Sequence, residues 1–188
     1  MTAAKRFDAA LDVLHVMADV NSVVPVIDEG MSSTMVEQLM AAMAQTIASR
    51  AARAREAYQK VSAAGGAKLS WREITGREAD VVAAVGRLTD LIVIGRPSGE
   101  AGAPLAARLE AALFDTGGPV QVVAHTAARV MAGRVALAWN GSAQAARVVA
   151  AALPILEVAD HATVLTVGTI DSVATAQDLI VYLGRHNV

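Results

Sequence analysis

The chain has 188 residues, of which 54% are hydrophobic and 18% charged, and its net charge at pH 7 is -2. This length suits one domain, or one domain and part of another, and the composition excludes general disorder. Without cysteine or a basic excess, disulfides and thiol chemistry are excluded and a nucleic-acid partner is not expected. No apolar run reaches the ~20 residues of a membrane span, and the N-terminus lacks a secretory signal, so we expect a cytoplasmic protein with no membrane partner.

Short apolar runs rich in branched residues recur along the chain and predict β-strands. Near-continuous runs of this length favour parallel strands that are buried on both faces. Residues 68–74 instead alternate polar and apolar side chains, which is typical of an edge strand. The apolar runs, in chain order, are 11–16, 91–95, 120–124, 135–139 and 162–167.

Helical patterns separate these runs. The longest begins near residues 31–34, where Thr34 and Glu37 have the spacing of a capping box, and it ends at Gly65 and Gly66. Because strands and helices alternate almost throughout, we predict an α/β fold with a mainly parallel sheet. The other predicted helices cover about 76–88, 104–115, 142–157 and 173–186.

A short internal repeat links the two ends of the chain. Residues 13–16 are Val-Leu-His-Val, and residues 164–167 are Val-Leu-Thr-Val. A strand and a helix precede the second copy, whereas only about ten residues precede the first. We therefore predict an incomplete tandem repeat, with a first domain over 1–129 that lacks its opening strand and the opening part of a second domain over 130–188.

Four stretches resemble the universal stress protein family in its bacterial tandem-domain form. Residues 90–98 resemble its fourth strand and loop, 119–123 its fifth strand, 135–142 the opening strand of a second domain, and 11–16 the second strand of a first. The resemblance covers nearly the whole chain. It implies a Rossmann-like parallel sheet with strand order 3-2-1-4-5 and helices on both faces, and a role in a bacterial stress response.

The same resemblance implies a nucleotide site at the carboxyl ends of strands one and four. ATP or AMP is the implied ligand, held by backbone N–H groups of glycine-containing loops and by a helix N-terminus. The corresponding residues here are Gly95, Arg96, Pro97 and Ser98 after one strand, and Asn140, Gly141 and Ser142 after the other.

Three departures from the family pattern favour weak or no nucleotide binding. Pro97 lacks an N–H group, and Asn140 stands where nucleotide-binding members have aspartate. Ala106 and Ala107 stand where those members have Gly-Ser or Gly-Thr. From the residues alone, 140–142 have a second interpretation as a glycine turn followed by an N-cap serine.

The remaining residue sets predict no chemistry. The four histidines lack the spacing of metal ligands, and the sequence contains neither a serine nucleophile motif nor a P-loop lysine, so we expect no metal site and no enzyme activity. A methionine stripe on the longest helix fits a core or a dimer contact, and an arginine stripe fits an exposed face. These residues are Met31, Met35, Met40 and Met43, and Arg50, Arg53 and Arg55.

The leading expectation is a non-catalytic protein that acts by association, as a homodimer or with another protein partner. An ATP- or AMP-binding regulatory module is the first alternative, and a nucleotide-dependent enzyme on a related α/β fold is the second. In the implied strand order the missing strand is central, so the strands on either side of it have unpaired edges. We expect residues 135–139, or a second copy of the chain, to fill that place.

Overall fold

Strands and helices alternate along most of the chain, as the apolar runs predict. The computed structural model describes residues 4, 7–19, 32–65, 68–96, 102–124, 132–168 and 173–188. Over these residues the fold is mixed α/β, and each predicted strand is confirmed with its ends shifted by at most two residues. The elements are β1 (Ala10–Met17), α1 (Ser33–Ala63), β2 (Lys68–Thr75), α2 (Glu78–Gly86), β3 (Ile92–Gly95), α3 (Gly102–Asp115), β4 (Val120–Val123), β5 (Arg134–Ala138), α4 (Ala143–Leu156), β6 (His161–Leu165) and α5 (Ala176–Gly184).

The described strands form parallel pairs. β1 pairs with β2, β3 with β4, and β5 with β6. A helix connects the two members of each pair, which is the connection that parallel strands require. The chain divides into two compact units, Met1–His125 with the first two pairs and Thr126–Val188 with the third.

In the first unit, α1 packs on the face of the β1–β2 pair that carries Trp71. The ring of Tyr58 lies 5.3 Å from the Trp71 ring, and the Arg55 guanidinium lies 5.3 Å from its centroid. His15 stacks on the same indole at 5.7 Å. These contacts attach the C-terminal half of α1 to the strand pair.

Helices α2 and α3 pack against each other and against the β3–β4 pair. Val82 of α2, Ile94 of β3 and Ala112 of α3 form a small buried cluster. At its border, Arg108 of α3 lies 3.5 Å from the carboxylate of Glu78 on α2. Burial of apolar area, at about 25 cal/mol per Å², is the main force that holds these elements together.

The second unit has a larger core, in which alternate residues of β5 face its helices. Their exposed neighbours on the strand, Ala136 and Ala138, lie on its other face. Leu156 is the most deeply buried large side chain, at 1% exposure. The buried core residues are Leu137 and Trp139 from β5 and its end, Val149 and Leu156 from α4, and Leu179 and Leu183 from α5.

The expectation that the strands are buried on both faces is wrong for much of their length. Val93 is 46% exposed, Val122 is 44% exposed and Leu165 is 51% exposed. The apolar runs have the composition of doubly covered strands, but double burial also requires helices over both faces of a wide sheet. Pairs of strands leave apolar side chains open to solvent.

Two expectations about α1 are also wrong. Its N-cap is Ser32, whose Oγ accepts a hydrogen bond from the backbone N of Met35 at 3.3 Å. Thr34 therefore lies inside the first turn and cannot form a capping box with Glu37. The core interpretation of the methionine stripe fails as well, because α1 has no buried residue and Met35 is 55% exposed.

The remaining predictions for α1 concern a dimer contact and an exposed arginine stripe. Met40 and Met43 are half-buried, so a dimer contact through this stripe stays a prediction, and Met31 lies outside the described residues. Arg50, Arg53 and Arg55 are exposed, as predicted. None of the helices in the described ranges combines the length and the hydropathy that a membrane span requires.

Candidate functional site

The turn after β5 begins at a firmly held residue. The backbone N of Trp139 donates to Leu165 O at 2.8 Å, which extends the pairing with β6 by one residue. Its indole Nε1 donates to Ala174 O at 3.0 Å, and the side chain is 9% exposed. The start of the turn is therefore fixed to the core of the second unit.

The next three residues form a turn and a helix cap. Gly141 has φ +73°, a left-handed conformation that glycine adopts without steric cost. The side chain of Asn140 accepts a hydrogen bond from Ser142 N at 3.1 Å, and Ser142 Oγ accepts one from Ala145 N at 3.1 Å. The interpretation as a turn with an N-cap therefore accounts for these residues, and both side-chain oxygens are occupied by the chain itself.

The N-terminus of α4 remains electrostatically suited to an anion. Its first turn contains no acidic side chain, so nothing there opposes the partial positive charge of the helix end. This charge is common to helices in general. It does not distinguish a nucleotide site from a capped turn.

The second half of the predicted nucleotide site follows β3. Gly95 and Arg96 are exposed, and Arg96 N donates to Val123 O at 2.7 Å. A Cβ placed on Gly95 would meet nothing within 4 Å, so packing does not require glycine here. Pro97 and Ser98 lie outside the described residues.

The predicted site residues thus fall into two groups. Gly95 and Arg96 belong to the first unit, whereas Asn140, Gly141 and Ser142 belong to the second. Gly95 ends β3 and Arg96 follows it, whereas Asn140, Gly141 and Ser142 lie between β5 and α4.

Neither the shifted pKa nor the arrangement of potential metal ligands indicates a further functional site in the described part of the chain. The pKa of Asp178 is lowered, because the Thr175 hydroxyl donates to its carboxylate at 2.6 Å and the Thr175 backbone N donates to it at 2.9 Å. This carboxylate belongs to the capping box of α5. No group of three potential metal ligands comes together among the residues that the structure describes.

A cleft in the first unit is a second candidate site. It has a volume of about 730 Å³, lies between β1 and β3, and is bordered by α2 residues and by Arg108 of α3. Residues 9–14 and 90–95 line it without a gap. The sequence had indicated unpaired edges at these two strands on either side of one vacant place, and the cleft lies between the same two strands.

No protein-family model matches the chain, and no curated protein matches it significantly.

Proposed function

We propose that this chain is a non-catalytic, universal-stress-protein-like protein that acts by association in a bacterial stress response and binds nucleotide weakly or not at all. The associated form is a homodimer or a complex with another protein. The observation that carries the association is the exposed apolar surface on the strands. Val93, Val122 and Val123 in the first unit, and Leu165 in the second, are each more than one third exposed. Exposed apolar side chains indicate an interaction site where they form a contiguous patch.

The strand pairs support the family part of the proposal. In the order 3-2-1-4-5, strands 2 and 3, strands 4 and 5, and strands 1 and 2 are neighbours. By their place in the repeat, β1 and β2, β3 and β4, and β5 and β6 are three such pairs, and all are parallel.

The turn at 140–142 supports weak nucleotide binding. A ribose hydroxyl that donates to Asn140 Oδ1 or Ser142 Oγ would compete with the hydrogen bond that each oxygen already accepts at 3.1 Å. An asparagine also lacks the negative charge that an aspartate offers. A ribose contact of this kind would therefore weaken the cap of α4.

A fluorescent ATP analogue tests the nucleotide part of the proposal. We expect no saturable binding at micromolar concentrations. Gly95→Trp is the matched variant, because Gly95 is exposed and has open space around it, so the change leaves the fold intact. Micromolar binding that is lost in Gly95→Trp would contradict the proposal and favour an ATP- or AMP-binding regulatory module.

The native mass tests the association. The chain has a mass of 19.4 kDa, and we expect light scattering to report about twice that value for a homodimer. Substituting lysine for the exposed Leu165 should lower the mass if the second unit forms the interface. A mass of one chain at every protein concentration would contradict a homodimer.

A further inference from the structure

The cleft in the first unit is bordered on one side by backbone groups of β3 that have no hydrogen-bond partner among the described residues. Ile92 N donates to Pro119 O at 3.1 Å, and Arg96 N donates to Val123 O at 2.7 Å, both toward β4. Backbone groups alternate in direction along a strand. Those of Val93 and Gly95 therefore point away from β4, on the side of the cleft.

The other side of the cleft is the edge of β1 that no described strand pairs with. Met17 O accepts a hydrogen bond from Gly76 N at 2.9 Å, at the end of the ladder with β2. By the same alternation, the backbone groups of Asp12 and Leu14 point away from β2. Consecutive residues line both walls, as expected of two strand edges, since a sheet face would present alternate residues.

We propose that this cleft binds an extended apolar peptide segment of a partner protein, which is added as a strand between β1 and β3. This inference rests on the proposed function, because it names what the protein associates with. Strand addition gains affinity from main-chain hydrogen bonds and specificity from alternate side chains. The walls include Leu11, Val13 and Ile94, which suit small branched side chains.

Charges at the cleft set the direction of the peptide. Two residues of opposite charge line the cleft: Asp90, which is exposed just before β3, and Arg72 of β2, which lies beside Leu14 of β1. A peptide parallel to β3, with a basic residue first and an acidic residue last, places each charge near its opposite. Arg108 of α3 also borders the cleft, where it adds a positive charge beside Glu78.

Among the strands that the structure describes, β5 is not available for this place. β5 is paired with β6 over its whole length, and Leu137 and Trp139 are buried in the core of the second unit. Entering the cleft would break that ladder and expose that core. The same cost applies to a second copy, whereas an unpaired extended segment of a partner has no such contacts to lose.

Fluorescence anisotropy on the full chain tests this proposal. The probes are labelled Lys-Val-Ala-Val-Ala-Val-Glu and its charge-reversed form, Glu-Val-Ala-Val-Ala-Val-Lys. Val93→Pro removes an N–H that faces the cleft, and Val122→Pro removes one on the outer edge of β4. The two valines are 46% and 44% exposed, which makes the control closely matched.

We expect the chain to bind the Lys-first peptide more tightly, and Val93→Pro to weaken this binding about tenfold while Val122→Pro changes it less than about twofold. Asp90→Lys, which leaves the strand backbone unchanged, should reverse the preference between the peptides. Circular dichroism checks that each variant is folded.

Three outcomes would overturn the proposal. The first is that neither peptide binds, and the second is that both proline variants lose peptide affinity equally. The third is a native dimer that Val93→Pro converts to a monomer while Val122→Pro does not, because a second copy would then be the occupant. Failure here is distinguishable from failure of the proposed function. A wild-type dimer that ignores both peptides retains the association and rejects only the strand addition.

Discussion

At the scale of single residues, the turn at 140–142 shows how a pattern associated with ligands can be used for folding. A glycine with positive φ and a serine before a helix suit a phosphate loop and a helix cap equally well. The hydrogen bonds at this turn assign Asn140 and Ser142 to the backbone of α4. We therefore expect substitutions of Asn140 and Ser142 to change the free energy of unfolding.

Ser142→Ala should destabilise the protein by about 1 kcal/mol, because Ala145 N loses its acceptor. Urea unfolding followed by circular dichroism measures the change. Ser142→Thr is the control, since it keeps a hydroxyl acceptor and should lose much less. If alanine and threonine behave alike, the serine is not acting as a cap.

Asp178 makes stability depend on pH. Hydrogen bonds from Thr175 stabilise its carboxylate and lower its pKa in the folded state. The stabilisation is fully present above the unfolded pKa, about 3.9, and is lost as the pH falls through the lower folded value. The stability difference between the wild type and Asp178→Ala should therefore shrink below about pH 4, as measured by urea unfolding at several pH values. A difference that does not change with pH would contradict this role.

At the scale of elements, the close approach of α2 to its neighbours depends on Gly86. A Cβ at this position would lie 2.6 Å from Thr116 Cγ2 and 2.7 Å from Ile92 Cδ1. Thr116 is itself held by a 2.6 Å hydrogen bond to Ala112 O, so it cannot move away freely. The end of α2, the start of β3 and the end of α3 thus meet at a point where only glycine fits.

Gly86→Ala should destabilise the protein by about 1–3 kcal/mol, although alanine is the better helix former. Gly184→Ala is the control, because it ends α5 with nothing within 4 Å of the added Cβ, and it should be neutral or slightly stabilising. Thermal melting of the two variants compares them directly. A stabilised Gly86→Ala would show that the neighbours yield to the methyl group.

At the scale of the whole molecule, apolar strands remain partly uncovered within each unit. Association covers such surface, and a dimer that forms only from folded chains is stabilised by mass action. The melting temperature should therefore rise with protein concentration. Scanning calorimetry over a dilution series measures this rise. A melting temperature independent of concentration would contradict a homodimer.

The sequence by itself determined the elements and their class. Runs such as 120–124 are strands because branched apolar residues favour extended backbone, and Ser142 begins a helix because its hydroxyl reaches a nearby N–H. These preferences act within a few residues, so a single sequence is enough to predict them. They failed for α1, where Ser32 and Thr34 were both plausible caps and only the backbone of the first turn distinguishes them.

Only the tertiary structure determined which strands and helices are neighbours and which side chains are covered. Burial of Val93 depends on helices and strands far away in the chain, so its apolar character did not reveal that it is 46% exposed. Likewise, the edges of β1 and β3 were expected on either side of one vacant place, but the sequence did not indicate that Arg108 of α3 borders the cleft between them. Local sequence determines the conformation of a segment, but the pairing and covering of its surface depend on contacts between distant segments.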